Sequence, residues 1–321
     1  MRDAEIVSEV QAAEARIRPY VRETPLERSP FLSELGGGDV YLKLENQQLS
    51  GSFKLRGAMN KILSLSSEDR ARPVVTASSG NHAAAVAYTL DRFGGRGIVY
   101  LPESVAKAKV DALSPYDVEL RFVGGDSIVG ELEAKKVAAD ESWIYVSPYG
   151  DAQIIGGQGT IALEIERQGD TVNTIFVPVG GGGLIAGIAG YLKARDASIH
   201  VVGCQPENSR VMAESVKAGK ILELDSEPTL ADGTAGGLDP DAITFPICQR
   251  VVDEFAVLSE DAIAAAMRFM VEKHYMLIEG AAALSVAAYL ADPTRYRDQS
   301  VVLVVSGKKV SLDTLTRVLS K

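Results

Sequence analysis

The chain has 321 residues and a formal net charge of −10, and 46% of its residues are apolar while 24% are charged. This composition is typical of a globular protein long enough for two lobes, and the negative charge argues against a nucleic acid or an anionic membrane as partner. The N-terminal segment lacks a signal-peptide core, and no apolar run approaches the roughly 18 residues that span a membrane. We therefore expect a cytoplasmic protein. Cys204 and Cys248 form no Cys-x-x-Cys motif, which favours two reduced structural thiols.

The first part of the chain is predicted to contain helices around one strand. Apolar residues recur at helical spacing over 3–17, and the Arg18-Pro19 pair ends that helix. An extended connection, a short helix and a glycine-rich turn lead to a strand over 40–45. Residues 54–65 then return to a helical pattern.

From residue 73 onward, short β-branched strands alternate with helices, which is the pattern of βαβ units and a parallel sheet. The first series comprises strands at 73–77, 97–101, 118–123 and 143–146, and helices at 81–93, 104–113 and 126–140. Residues 147–151 interrupt this series. The second series comprises strands at 174–179, 199–204, 254–258 and 300–305, and helices at 153–168, up to 194, at 208–218, after 259, at 280–291 and at 311–319. The sequence therefore predicts an α/β fold with two lobes, in which the stretch 219–240 is irregular.

One lysine stands in an unusual local setting. Lys54 lies at the centre of Ser50–Gly57 (SGSFKLRG), among two glycines, two serines and a phenylalanine, directly after a predicted strand. Burial disfavours the ammonium form of a lysine, and a neutral amine reacts with carbonyl compounds to form a Schiff base. A surface lysine in a loop is the commoner interpretation of such a residue taken alone.

A second candidate is the segment Ser78–His82 (SSGNH), between the end of a strand and the start of a helix. Unpaired backbone N–H groups at a helix N-terminus attract anions such as carboxylates. The alternative is simple N-capping by Ser79 or Asn81, and a lone His82 is more often structural than catalytic.

Two further segments also follow predicted strands. The run Gly180–Gly183 would let backbone N–H groups surround a phosphate. A dinucleotide loop is the weaker alternative, because no acidic residue ends the next strand. Ser306, in the segment Ser306–Lys309 (SGKK), could hydrogen-bond a ligand at the carboxyl end of its strand, or could instead cap the last helix in competition with Ser311.

Together these features describe one ligand, an aldehyde that carries a phosphate and a ring nitrogen. Seven motifs occur in the order of one family: 50–58 (SGSFKLRGA), 78–82 (SSGNH), 157–160 (GQGT), 178–184 (PVGGGGL), 231–233 (ADG), 278–280 (IEG) and 306–307 (SG). On these motifs the chain resembles, over nearly its whole length, the fold-type II pyridoxal-phosphate enzymes, in particular the serine/threonine dehydratase and serine racemase group.

The resemblance implies a tryptophan synthase β-like fold, with two lobes of parallel-rich open sheets covered by helices, and pyridoxal 5'-phosphate as the cofactor. It also implies a large cofactor-binding domain formed by residues 1–70 and 150–321, a small domain formed by 71–149, and a homodimer.

The resemblance further assigns roles to individual residues. Lys54 would hold the cofactor as a Schiff base and, once released, act as base toward the substrate Cα proton. Phe53 would pack near the ring, Asn81 would hydrogen-bond the ring 3-hydroxyl, and Ser306 would face the ring nitrogen with Glu279 nearby. The phosphate would be held by Gly180, Gly181, Gly182, Gly183 and Leu184. The substrate carboxylate would be bound by Ser78, Ser79, Gly80, Asn81 and His82.

The activity that the resemblance implies is β-elimination from L-threonine, L-serine or a related β-hydroxy amino acid, giving a 2-oxo acid and ammonia. A serine beside the ring nitrogen, instead of a carboxylate, leaves a milder electron sink and so favours elimination. The alternative is an amino-acid racemase that uses Lys54 and Ser79 as two bases on opposite faces of the substrate.

Two departures from the family pattern concern the ring and a metal. Lys308 and Lys309 replace the usual Gly-Asn after the last strand, and they could alter the charge near the ring nitrogen. Gln205 and Val211 stand where metal-binding serine racemases carry two carboxylates, and Glu207 is out of register with that motif. We therefore expect no divalent metal at this segment.

Overall fold

The computed structural model describes residues 1–320 except Ser79, Ser104, Ala106, Gly125, Asp126 and Asp170. These residues form ten β-strands: β1 (Leu26–Arg28), β2 (Asp39–Lys43), β3 (Val74–Ala77), β4 (Gly97–Pro102), β5 (Val118–Val123), β6 (Ile144–Tyr145), β7 (Thr174–Pro178), β8 (His200–Pro206), β9 (Glu254–Leu258) and β10 (Ser300–Val304).

The same residues form fourteen α-helices: α1 (Asp3–Ile17), α2 (Pro30–Gly36), α3 (Lys54–Ser64), α4 (Ser67–Arg70), α5 (Asn81–Phe93), α6 (Lys107–Asp111), α7 (Ser127–Asp140), α8 (Ala152–Gln168), α9 (Gly183–Arg195), α10 (Val211–Ala218), α11 (Thr244–Val251), α12 (Glu260–His274), α13 (Gly280–Ala291) and α14 (Leu312–Leu319). Short 3-10 turns occur at Glu45–Gln47, Asp232–Thr234 and Pro293–Tyr296. In the part of the chain that is described, none of the helices combines the length and the apolar character needed to cross a membrane.

The strands form two separate sheets. The larger sheet has the order β1-β2-β10-β7-β8-β9, and the smaller one has the order β5-β4-β3-β6. Only the edge pair β1–β2 is antiparallel, and every other pairing is parallel. Because the smaller sheet comes entirely from residues 74–145, we propose the division into a large domain (1–70 and 150–321) and a small domain (71–149).

Glycines on α8 allow this helix to pack very closely against α3 and α9. A Cβ on Gly157 would lie 2.6 Å from the carbonyl oxygen of Arg56 in α3, and a Cβ on Gly159 would lie 3.0 Å from the carbonyl oxygen of Gly187 in α9. Helix α1 lies against α8 and α9, and its predicted apolar stripe is fully buried. This packing holds the beginning of α3, where Lys54 lies.

Most predicted elements are present within a few residues of their predicted bounds, and both cysteines are free and buried as expected. Ser311 accepts a hydrogen bond from the backbone N–H of Thr314 and so caps the last helix. The predicted helix over 104–113 is shorter than expected, because α6 spans only Lys107–Asp111. Helix α11 is an addition to the predicted elements. It buries four residues at helical spacing, namely Thr244, Ile247, Cys248 and Val251.

Candidate active site

Lys54 is the first residue of α3, and its amine is turned toward the loop that follows β6. Nζ donates a 2.7 Å hydrogen bond to the carbonyl oxygen of Pro148 and lies 5.2 Å from the centre of the Phe53 ring. Burial lowers the pKa of Lys54 to about 8, against the opposing effect of the carboxylates of Glu131 and Glu279. The amine is therefore largely neutral at a mildly alkaline pH, as a nucleophile toward carbonyl compounds must be.

The glycine run lies between β7 and α9, at the carboxyl end of the large sheet. A Cβ on Gly180 would lie 3.0 Å from Cα of Thr234, one on Gly181 would overlap the ring of Tyr149, and one on Gly183 would lie 2.9 Å from Cα of Tyr149. Gly182 has φ +84°, and no side chain caps the 13-residue helix that it precedes. The loop thus leaves room only for glycine and presents an uncapped helix start, which suits a phosphate.

Leu184, the last residue predicted to contact the phosphate, is 5% exposed and packs in the apolar core around α9. The loop before α8 joins the glycine run to Lys54, because Pro148 accepts the hydrogen bond of Lys54 while Tyr149 packs on Gly181 and Gly183. The structure thus brings these two predicted segments together.

The start of α5 carries the residues predicted to bind a substrate carboxylate. The N-cap position is Gly80, and among the described residues no side chain caps it. The hydroxyl of Ser78 accepts a hydrogen bond from the backbone N–H of Gly80 at 3.2 Å. Ser79 lies outside the described residues. The helix start is therefore compatible with an anion, and the alternative of capping by Asn81 finds no support in its contacts.

The His82 side chain points into the interior of the protein. It is therefore not available as a charged ligand for the substrate carboxylate. It is 2% exposed, and Nε2 lies 3.1 Å from the carbonyl oxygen of Val146. Burial, with a smaller effect from the positive charge of Lys54, lowers the pKa of His82 to about 3. The imidazole is thus neutral, donates through Nε2 and holds α5 to the segment after β6.

Glu279 and Ser306 meet at the carboxyl end of β10. Ser306 is 2% exposed, and its carbonyl oxygen accepts a hydrogen bond from the backbone N–H of Phe53 at 3.1 Å. The carboxylate of Glu279 accepts hydrogen bonds from Asn81 Nδ2 at 2.8 and 3.0 Å and from the backbone N–H of Lys309 at 3.0 Å. Burial raises the pKa of Glu279 to about 7, and the hydrogen bond from Asn81 opposes this effect. The structure therefore joins Phe53, Asn81, Glu279 and Ser306 in one cluster.

The two lysines that depart from the family pattern face solvent. Lys308 and Lys309 are both exposed, and the backbone of Lys309, through its N–H group, binds Glu279. The positive charge of Lys309 lowers the pKa of Glu279 only as the last of several causes.

Polar contacts also connect the irregular stretch 219–240 to α6 and α7, the helices that flank β5 of the small sheet in the chain. Lys109 of α6 pairs with Asp232 at 2.9 Å, and Lys135 of α7 pairs with Asp239. The backbone N–H of Asp239 donates to the Tyr149 hydroxyl at 3.0 Å. A single sequence offers no signal for these pairs, since exposed lysines and aspartates rarely reveal their partners.

A buried ionic cluster beneath Lys54 is the largest feature that sequence reasoning missed. Arg56, Glu45, Glu164 and Lys43 are all fully buried, and Arg56 Nη1 and Lys43 Nζ each lie 2.7 Å from a Glu164 oxygen. Arg56 Nη2 lies 2.8 Å from a Glu45 oxygen. The sequence offered one signal for this cluster. Arg56, two residues after Lys54, and Lys43, at the end of β2, are charged residues at positions expected to face the interior.

The segment 205–211, at which we expect no divalent metal, is joined to neighbouring backbone by hydrogen bonds. Gln205 donates from Nε2 to the carbonyl oxygen of Val179 at 3.1 Å and accepts at Oε1 from the backbone N–H of Ala213 at 2.8 Å. Val211 is buried and Glu207 is exposed. Among the residues that the structure describes, no group of three or more His, Cys, Asp or Glu could hold a metal ion.

Comparison with known proteins identifies the family. The model of the family described as "Pyridoxal-phosphate dependent enzyme" matches residues 17–307. The chain is 40% identical over 325 aligned positions to the catabolic L-threonine dehydratase TdcB of Staphylococcus aureus strain N315, covering 99% of this chain and 94% of that protein. The chain therefore belongs to the family of pyridoxal-phosphate dependent enzymes.

Solved structures agree with this assignment. Maize serine racemase superposes with a TM-score of 0.91 at 34% identity, covering 98% of this chain and 96% of that one. The processed form of threonine deaminase isoform 2 from Solanum lycopersicum superposes with a TM-score of 0.92 at 30% identity, covering 99% and 87%. The predicted fold class, with parallel-rich sheets covered by helices, is confirmed.

The residues present fit pyridoxal phosphate. The glycine run excludes side chains at the predicted phosphate position, and the Lys54 amine has the lowered pKa that carbonyl chemistry needs. Asn81 Oδ1, which is predicted to meet the ring, is buried and has no hydrogen-bond partner within the described protein, so this oxygen is available to the cofactor.

Proposed function

We propose that the protein catalyses the dehydration and deamination of L-threonine, L-serine or a related β-hydroxy amino acid. The observation that carries the proposal is the partly buried amine of Lys54. Its pKa of about 8 and its hydrogen bond to Pro148, next to the Tyr149 that packs on the glycine run, suit it to hold the cofactor. The name of the Staphylococcus aureus relative, an L-threonine dehydratase, supports the choice of substrate class.

Bound pyridoxal phosphate supplies an electron sink for the charge that develops at the substrate Cα. Lys54 then provides the base, because an amine with a pKa near 8 can accept the Cα proton near neutral pH. Loss of that proton and of the β-hydroxyl removes water across Cα–Cβ, and hydrolysis of the C–N bond yields a 2-oxo acid and ammonia.

The other site residues bind and orient. The N–H groups of Gly180–Gly183 and Leu184 would hold the phosphate, and those at the start of α5 would hold the substrate carboxylate. Phe53 would pack beside the ring, Ser306 would meet the ring nitrogen and Asn81 the ring oxygen. Because the Asn81 amide is itself held by Glu279, this last contact would have a fixed direction.

The experiment that tests the proposal measures 2-oxo acid and ammonia release from L- and D-serine, L-threonine, hydroxyaspartate and phenylserine. We expect Lys54→Ala to abolish turnover of every substrate. Lys61→Ala is a matched control on the same helix, because Lys61 lies about two turns after Lys54 and binds Asp151 and Gln153 instead of Pro148. Elimination retained in Lys54→Ala would refute the assignment.

A second candidate activity is racemisation, which the close superposition with maize serine racemase favours. In that case Ser79 would act on the face of the substrate opposite Lys54. Ser79→Ala should then suppress interconversion of D- and L-serine and leave elimination from the L-amino acid. An equal loss of both activities would count against two bases.

We also propose a homodimer and a cytoplasmic location. The exposed apolar side chains of Phe31, Tyr275 and Leu277 support a subunit contact, since Phe31 lies against His274, one residue before Tyr275. Light scattering coupled to size-exclusion chromatography gives the mass in solution, and a monomer would contradict the first proposal. Cell fractionation tests the second.

A further inference from the structure

Helix α3 begins without the usual means of fixing a helix start. Its N-cap residue, Phe53, makes no side-chain cap, and the side chain that accepts from its first four N–H groups is Gln158 of α8, whose Oε1 lies 3.2 Å from the Gly57 nitrogen. Its first residue is a lysine, whose positive charge is unfavourable at the positive end of a helix dipole. The reactive amine of Lys54 therefore lies on a turn that needs support from elsewhere.

Arg56, two residues after Lys54, makes the strongest contacts of that turn. Its Nε and Nη2 donate to the two oxygens of Glu45, each at 2.8 Å. Its Nη1 and Nη2 donate to the two oxygens of Glu164 at 2.7 and 2.8 Å. Both carboxylates thus receive the paired, planar contact that a guanidinium offers and a lysine ammonium does not.

The partners of Arg56 come from separate parts of the chain. Glu45 follows strand β2, whereas Glu164 lies on α8. Glu164 is in turn bound by Lys43 Nζ at 2.7 Å, and Thr160 of α8 accepts from Arg56 Nη1 at 3.2 Å. The guanidinium therefore fixes the direction of α3 relative to the large sheet and to α8 at once.

The burial of this cluster argues for a role beyond stability. Apolar side chains of similar size usually stabilise a core as well as a buried ion pair does, because the desolvation of the charges offsets their attraction. What a guanidinium between two carboxylates adds is orientation. Lys54 is within two residues of Arg56 and is the chain's candidate nucleophile, so it is the residue that gains from a fixed orientation.

We propose that Arg56 is a positioning residue, which holds the first turn of α3 so that Lys54 Nζ is directed at the aldehyde of pyridoxal phosphate. The inference rests on the proposed function of Lys54. In the step concerned, neutral Nζ forms a bond to the aldehyde carbon, and the carbonyl oxygen leaves as water with the two amine protons. Arg56 does not touch the reacting atoms.

Two variants separate positioning from folding. Arg56→Lys keeps the positive charge but loses the paired contacts with Glu45 and Glu164. The double variant Arg56→Met with Glu164→Gln removes one positive and one negative charge together. Lys43 and Glu45 then remain in the interior with opposite charges, and Arg18, which loses its 2.6 Å contact with Glu164, keeps Glu14 and Glu23 at 3.8 Å. We expect the double variant to recover much of the thermal stability that Arg56→Met alone loses.

The readout is covalent capture of pyridoxal phosphate by the cofactor-free protein, trapped with borohydride and located by mass spectrometry over a range of pH. We expect wild type to react at Lys54, and both Arg56→Lys and the double variant to react there at least tenfold more slowly while remaining folded by circular dichroism. Lys61→Ala is the control and should react like wild type.

The outcomes are distinct. Wild-type capture rate and pH dependence in either folded variant would overturn the inference and leave Arg56 a structural residue. Arg56→Lys and the double variant could both fail to fold. In that case, a folded Arg56→Met protein that captures the cofactor at the wild-type rate would equally overturn the inference. Failure of wild type to react at Lys54 would instead overturn the proposed function.

Discussion

Glu164 offers a quantitative test of the buried ionic cluster. The attraction of Arg56 and Lys43 and their hydrogen bonds overcome the effect of burial and lower the pKa of Glu164 from 4.5 to about 2. A shift of this size corresponds to roughly 3 kcal/mol, at about 1.4 kcal/mol per pKa unit. Removal of one partner from a buried ion pair independently costs about 3–5 kcal/mol. We therefore expect Glu164→Gln to lower the free energy of unfolding by about 3 kcal/mol at pH 7.

The stability lost in Glu164→Gln should depend on pH. A carboxylate whose pKa is lowered in the folded state stabilises the protein above its unfolded pKa of 4.5, and this contribution disappears as the pH falls toward 2. The difference in unfolding free energy between wild type and Glu164→Gln should therefore be full at pH 6–7 and shrink below pH 4.5. Urea denaturation followed by circular dichroism at several pH values measures it.

Glu166→Gln is the matched control, two residues further along α8. Its carboxylate is partly exposed, accepts from the Tyr191 hydroxyl at 3.0 Å and lies 3.5 Å from Arg195. A glutamine amide can still accept from Tyr191, so the change should cost less than about 1 kcal/mol. A Glu164→Gln protein as stable as this control, or a difference from wild type that does not change below pH 4.5, would refute the reasoning.

Three further predictions follow from the site and its surroundings. Gly181→Ala should weaken binding of pyridoxal phosphate by roughly ten- to a hundredfold, because overpacking against the Tyr149 ring costs about 1–3 kcal/mol. Gly237→Ala is the control: the space around its Cβ position is open, so this variant should bind the cofactor normally in the same fluorescence titration. Lys109→Met should change the unfolding free energy by less than about 1 kcal/mol, since its pairing with Asp232 is exposed; a larger loss would mean that the contact is more than a surface pair. Treatment with EDTA should leave the activity unchanged, and inactivation reversed by magnesium would contradict the interpretation of Gln205.

Local sequence patterns predicted most of the fold. Periods of 3.6 and 2 residues, turn glycines and helix caps depend on neighbours in the chain. The βαβ series could therefore be predicted directly, and Ser311 could be named beside Ser306 as a candidate cap of the last helix. Helix α11 could have been found from the helical spacing of Ile247, Cys248 and Val251 and from Pro246 in its first turn, where proline is tolerated.

The candidate site was predicted from the same local patterns, except for the directions of the side chains. Lys54, the glycine run, the start of α5 and Ser306 each follow a predicted strand, and the carboxyl ends of parallel strands meet at one edge of a sheet. Side-chain direction was not available, and so the interior position of the His82 ring came only from the structure.

The sequence by itself determined the order of the elements and the family, and it predicted the residues that would approach the cofactor, because these depend on local pattern and on motifs carried in sequence. The tertiary structure decided which distant charges share the interior. Glu45, Arg56 and Glu164 lie up to 119 positions apart, and nothing in their local surroundings indicates that they bind one another. Their pairing depends on the packing of α3 against α8 and on the reach of Arg56 to the turn after β2, and we propose that this arrangement directs Lys54 toward its site.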